Sequence, residues 1–208
     1  MRRSNIRHCL AVILAMLMTS TVYAYGVGLS TFPLAAQKRM VSAEATGIVS
    51  NGAGAGVQAR YTQNLNVGTT LDIGMGLSSG DRSSRVFAGM DYELFPDYEK
   101  QPRASIKASI ANAREFGQTY NIFSIAPTFS KGFSFWGREG YPYIAIPYGV
   151  SLNGDRKTYA TKLDLAIGAN APMAFIEGYE KLIGNVEITA GLQNSFTAIF
   201  MGVSYPIN

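Results

Sequence analysis

The chain has one cysteine, one histidine and one tryptophan in 208 residues, and only 15% of it is charged. Cys9 and His8 both lie in the first 24 residues. Without that segment the chain has no thiol and no imidazole. It then forms no disulfide, although disulfides persist in exported proteins. It also lacks the base or nucleophile of a Ser–His–Asp or Cys–His site. Zinc and redox-metal centres lose their usual ligands in the same way. Carboxylates two apart, such as Asp91 and Glu93, share one face of a strand and could do acid–base work. The same spacing suits a salt-bridge network. No catalytic residue, metal, cofactor or enzymatic activity is expected.

Long apolar runs are also missing. After Tyr25 nothing approaches the roughly 20 residues of a membrane helix. The N-terminus itself reads as an export signal: Arg2, Arg3 and Arg7 precede an apolar stretch from Cys9 to Met18, and Val22-Tyr23-Ala24 offers small residues before a cut. Residues 1–24 are therefore expected to be removed, leaving Tyr25 first. That segment holds three arginines and no acids, so the remainder carries fifteen bases against fourteen acids. A net charge near zero gives no basis for a nucleic-acid partner.

What is present is alternation. Residues 25–38 have no clean period and read as a lead-in, with a short strand at Val27–Thr31. From 39 to the end, one-residue alternation repeats in about ten segments. Val41, Ala43 and Ala45 oppose Ser42, Glu44 and Thr46, and Leu71, Ile73 and Met75 oppose Thr70, Asp72 and Gly74. Turn residues punctuate the pattern at Asn51-Gly52, at Ser78–Ser83 and at Asn153-Gly154-Asp155. The stretch Asn170–Gly178 is less regular and reads as a connection. Evenly spaced strands of about 9–12 residues predict an all-β chain. The expected fold is a closed antiparallel transmembrane β-barrel of about ten strands (eight to twelve), spanning residues 39–208.

Charge orients the faces. The less apolar face carries Glu44, Asp72, Asp91, Glu93, Asp164 and Glu187 with Arg60, Arg85, Lys107, Lys162 and Lys181. The opposite face is almost uncharged in mid-strand. A Lys or Arg at mid-bilayer on the lipid side costs about 2–4 kcal/mol, so lipid enforces this segregation. A soluble barrel would reverse it. The lumen of so few strands is narrow, and near-equal numbers of acids and bases fit an interior plugged by salt bridges. A narrow passive pore, with one sign prevailing at a constriction, is the alternative. A soluble exported barrel that carries a small apolar ligand is another.

The last residues, Ser195–Asn208, alternate Thr197, Ile199, Met201, Val203 and Tyr205 against Phe196, Ala198, Phe200, Gly202 and Ser204. This ending resembles the C-terminal assembly signal of bacterial outer-membrane β-barrel proteins, with Gly202, Tyr205 and Ile207 at its positions. Phe200 stands where that family usually has a polar residue, and Asn208 follows where it commonly stops on Phe. The resemblance implies residence in the outer membrane of a Gram-negative bacterium after signal-peptide cleavage. It also implies contact with membrane lipid and with the barrel-assembly machinery, and leaves the oligomeric state open. Aromatic residues near strand ends, among them Tyr61, Tyr92, Phe95 and Tyr159, suit interfacial girdles, and Phe133–Trp136 is a candidate partner patch. Two features sit awkwardly in such a barrel. Pro127 and Pro147 fall inside strands, where a bulge or break is expected, and the connections opposite the termini are short.

Overall fold

The computed structural model describes residues 31–50, 54–78, 82–135, 138–174 and 178–207. The export signal, most of the Val27–Thr31 segment, the Asn51-Gly52 turn and Trp136 lie outside them. The strands are β1 (Arg39–Ile48), β2 (Gly54–Asn66), β3 (Thr69–Ser78), β4 (Arg82–Phe95), β5 (Arg103–Glu115), β6 (Gln118–Ser130), β7 (Phe133–Phe135), β8 (Arg138–Ala145), β9 (Tyr148–Asn153), β10 (Thr158–Pro172), β11 (Ile183–Gln193) and β12 (Ala198–Ile207).

β1 to β6 pair in sequence order, and β12 returns to β1 in unbroken antiparallel register from Arg39↔Ile207 to Ile48↔Ala198. β8 and β9 are halves of one wall strand, since both lie between β6 and β10. β7 pairs only with β8 and forms a spur beyond the wall. The wall is therefore a closed antiparallel barrel of 10 strands. Closure leaves no sheet edge, the condition for spanning lipid with strands.

Faces follow the alternation strand by strand. Burial in β1 reads exposed, buried, exposed, buried from Arg39 to Thr46, with Ser42, Glu44 and Thr46 inside. The same phase puts Gln58 and Arg60 of β2 and Asp72 of β3 inside. Outside stand Val57, Ile73, Met75, Leu77, Val86, Ile110, Ile125, Ile188 and Met201, all largely exposed. The interior is polar and the exterior apolar, the inverse of a soluble fold and the arrangement of a transmembrane barrel. Burying such a surface in lipid recovers about 25 cal/mol per Å², which water would withhold. That apolar exterior disfavours the soluble ligand carrier.

The prolines make a break without a bulge. The pairs Thr128↔Ala145 and Ile125↔Tyr148 keep one register, as do Ala166↔Ala145 and Leu163↔Tyr148 across β10. Ile146 still donates to Pro127 O at 3.0 Å, and Asp164 N to Pro147 O at 2.9 Å. Only the reciprocal donors are missing, because proline has none. Pro127 points outward and Pro147 inward.

Three further boundaries differ from the sequence reading. β10 runs to Pro172, taking in Asn170. A short β7–β8 hairpin, paired from Phe133↔Gly140 to Phe135↔Arg138, stands beyond the ten expected segments. β12 starts at Ala198, so Phe196 belongs to a connection. The hairpin at Asn153 is present but longer than two residues. There Asn153 Oδ1 accepts the Asp155 and Arg156 amides, each at 3.0 Å, and the positive φ falls on Lys157.

Connections on the side of the termini include 96–102 and 173–182, and those on the far side have at most five residues. The long connection after β4 is tied down. Lys131 Nζ donates to Asp97, to Glu99 O at 2.6 Å and to Gln101 O at 3.2 Å, and Gly132 N donates to Asp97 Oδ2 at 2.7 Å. Burial pushes the Asp97 carboxyl up, but the hydrogen bonds and charge of Lys131 and the Gly132 amide outweigh it and hold the group below its ordinary value. A depressed carboxylate stabilises above its unfolded pKa and loses that contribution as pH falls through the folded one. Amide exchange in 96–102 should therefore accelerate once pH drops below the ordinary value of 3.8. Asp97→Asn should show the fast rate at neutral pH. Equal protection in both proteins at pH 7 would contradict the tie.

The β12–β1 seam closes the wall. Deleting Met201–Asn208 leaves most of the β1 ladder without partners, at several kcal/mol for each unsatisfied group in lipid. No heat-modifiable, membrane-inserted protein should be recovered from the truncated chain. Replacing Tyr205 and Ile207 with Ser should impair assembly more than Ser204→Ala.

Candidate functional site: the lumen and its two mouths

Because the strands alternate, every second side chain of the wall converges on one narrow interior. Across β1 and β2, Glu44 accepts from Gln58 Nε2 and from Arg60 Nη2, the latter at 2.9 Å. Across β3 and β5, Lys107 Nζ lies 2.7 Å from Asp72 Oδ2. The intervening strand β4 presents Gly89, where a Cβ would sit 3.0 Å from Asp72 Oδ2 and 3.2 Å from Lys107 Cε. On the other wall Glu187 accepts from the Tyr143 hydroxyl at 2.6 Å and from Thr189 Oγ1 at 2.9 Å.

Two rings fill the space between these groups. Phe87 lies opposite Gly74, and Tyr143 opposite Gly168. A Cβ at either glycine would overlap the facing ring. Each aromatic therefore lies flat over a neighbour that has no side chain. The Arg60 guanidinium stands 5.5 Å from the Phe87 centroid and that of Arg85 stands 4.8 Å from it, within cation–π range. Arg60 is only 2% exposed. The middle of the lumen is thus a packed, charge-paired layer.

At the terminal end, Arg103 bridges Asp91 and Glu93, at 2.6 Å to each. Above it runs the lead-in. Thr31 Oγ1 accepts from Asn170 Nδ2 at 3.0 Å, Leu34 O accepts from Asn64 Nδ2, and Phe32 packs edge-on against Tyr141 at 5.4 Å. Residues 31–36 form a strap across this mouth.

At the far end, the 194–197 connection folds inward. Gly191 allows this, since a Cβ there would fall 2.7 Å from the Ser195 carbonyl carbon. Phe196 enters the mouth, packs on Ile48 and Ala198, and receives Lys162 Nζ at 6.0 Å from its centroid. Lys162 also lies 3.5 Å from Glu115 Oε2. Below Phe196 a cavity of about 70 Å³ remains, with Arg85, Asp164 and the Ser109–Ser124 hydroxyl pair on its walls.

The structure places Glu44, Arg60, Asp72, Arg85, Asp91, Glu93, Lys107, Lys162, Asp164 and Glu187 on the lumen face. Lys181 is the exception. It stands exposed in the turn before β11, in phase with the inward residues but beyond the strand that would carry it inside. The structure adds two lumen charges, Arg103 and Glu115, that the alternation alone does not single out. Both continue the odd-numbered phase of Ser105, Lys107 and Ser109, but their polar neighbours make them look like connection.

The terminal-signal residues have separate placements. Gly202 faces inward opposite Glu44, and a Cβ there would meet Glu44 Cγ at 2.7 Å, so this glycine makes room for a lumen carboxylate. Tyr205 points outward and Ile207 is half-buried opposite Arg39.

No protein-family model and no curated protein matches the chain. Among solved structures it is similar to a de novo designed transmembrane β-barrel, with 14% identity over 84% of this chain and 98% of that one, at a TM-score of 0.41. It is also similar to Ail, the attachment invasion locus protein of Yersinia pestis, in complex with the heparin analogue sucrose octasulfate. That match has 8% identity over 82% of this chain and 97% of that one, at a TM-score of 0.31. Likenesses this distant assign neither family nor function.

The paired charges make a specific energetic statement. Removing one partner of a buried pair is strongly destabilising, by about 3–5 kcal/mol, because the other charge is stranded. Arg60→Met should lower stability by that order in guanidinium unfolding from lipid vesicles. Adding Glu44→Gln to it should recover part of the loss, giving a double-mutant coupling of about 0.5–3 kcal/mol. Strict additivity would mean that the 2.9 Å pair is not an energetic unit.

Proposed function

We propose that the protein is an outer-membrane β-barrel with a structural or surface role and a lumen that does not conduct. One observation carries this reading: the interior is blocked at three successive levels. The strap of residues 31–36 covers the terminal mouth. The layer of Arg60, Phe87, Tyr143 and their partners fills the middle. Phe196 and the Lys162–Glu115 pair cover the far mouth.

A narrow passive pore would need one sign of charge to line a constriction. Here the constricting layer pairs Glu44 with Arg60 and Asp72 with Lys107. The apolar outer face supports residence in a bilayer, and the Gly202-Tyr205-Ile207 ending supports delivery there by barrel-assembly machinery. We assign the chain no catalytic role, since the lumen carboxylates of Glu44, Asp72, Asp91, Glu93, Glu115 and Glu187 are engaged with cations or hydroxyls.

Planar-bilayer recording of the folded, purified protein tests the reading. No steady conductance is expected at physiological salt. Stable open events with ion selectivity would refute it and establish the pore.

A further inference from the structure

The mouth opposite the termini carries a feature that a sealed barrel does not require. β5 and β6 are joined by only Phe116 and Gly117, between the paired residues Glu115 and Gln118. Both have positive φ, 50° and 73°. A two-residue hairpin with φ > 0 at both positions is a type I′ turn, whose usual occupants are Asn and Gly. Glycine takes this conformation freely. A bulky side chain at the first position is strained there.

The strained ring does not lie among the outward aromatics that meet lipid. It stands beside Phe196, 6.3 Å between centroids at an interplanar angle of 31°, and stays 52% exposed. The two rings border a recess of about 610 Å³ that opens at the barrel end, with Tyr120, Ser151 and Asn194 around it and Lys162–Glu115 at its base. That volume lies within the range of small-molecule sites, roughly 300–1,000 Å³.

We propose that this recess binds a neutral sugar of one or two rings. Three properties select that class. The exposed ring of Phe116, beside the half-buried Phe196, offers a stacking surface to the C–H-bearing face of a pyranose. Amide, hydroxyl, ammonium and carboxylate groups nearby offer both donors and acceptors to its hydroxyls. The one acid and one base at the bottom of the recess cancel, so a charged ligand gains no net attraction. A wholly apolar ligand would cover those polar groups without pairing them. A lipid chain would approach the outer wall, not the open end.

The recess lies outside the Phe196 seal, so sugar binding and the non-conducting lumen stand or fall separately. The test uses the full chain folded in detergent micelles and saturation-transfer NMR with glucose, N-acetylglucosamine and cellobiose. Glucosamine and glucuronate serve as charged counterparts. Saturable binding of at least one neutral sugar is expected, with the charged analogues weaker. Phe116→Asn places the preferred residue in the turn, so it should fold with equal or greater heat resistance and bind at least tenfold more weakly. Phe196→Ala should show the same loss, and carries the test if Phe116→Asn does not insert. No saturable binding of any neutral probe would overturn the proposal, as would preference for a charged analogue or binding unchanged in the folded variants.

Discussion

A strand that crosses lipid has nowhere to satisfy its backbone except on another strand. That requirement dictates closure, and closure shapes the whole interior. The register from Arg39↔Ile207 to Ile48↔Ala198 joins the two ends of the chain. It also confines every inward side chain to one narrow tube. Charges excluded from the lipid face by solvation must then find partners in that tube, within the reach of neighbouring strands.

The lumen solves this as a polar core with the packing logic of an apolar one. Volume is managed by pairing ring with glycine across adjacent strands, Phe87 over Gly74 and Tyr143 over Gly168. Charge is managed by two other glycines. Gly89 lets Lys107 reach over β4 to Asp72, and Gly202 gives Glu44 its place beside β12. A glycine near the chain's end therefore has a steric reason to be there, apart from any reading by assembly machinery.

The wall was legible in the sequence because the bilayer forces a period of two on every strand, and ten of the lumen charges follow from that period alone. Its limits were set by local polarity. Arg103 and Glu115 sit where polar neighbours blur the apolar face, and Lys181 keeps the phase although its strand has not yet begun. The mouths were not legible. That Thr31 meets Asn170, or that Phe196 turns into the barrel beside Phe116, depends on contacts far apart in sequence. The in-turned loop left one local trace, Gly191, whose missing side chain makes the fold-back possible.

The proline pair has a mechanical consequence. Pro127 and Ile146 are cross-strand neighbours, and Pro147 follows directly, so the wall strand formed by β8 and β9 receives no donor from Pro127 of β6 and offers none from Pro147 to β10, at almost the same height. The seam that joins the chain ends keeps one register throughout, with no shift. Under lateral tension the barrel would therefore yield first in its middle strand rather than at its closure, and that strand would give way as two short pieces hinged at Ile146.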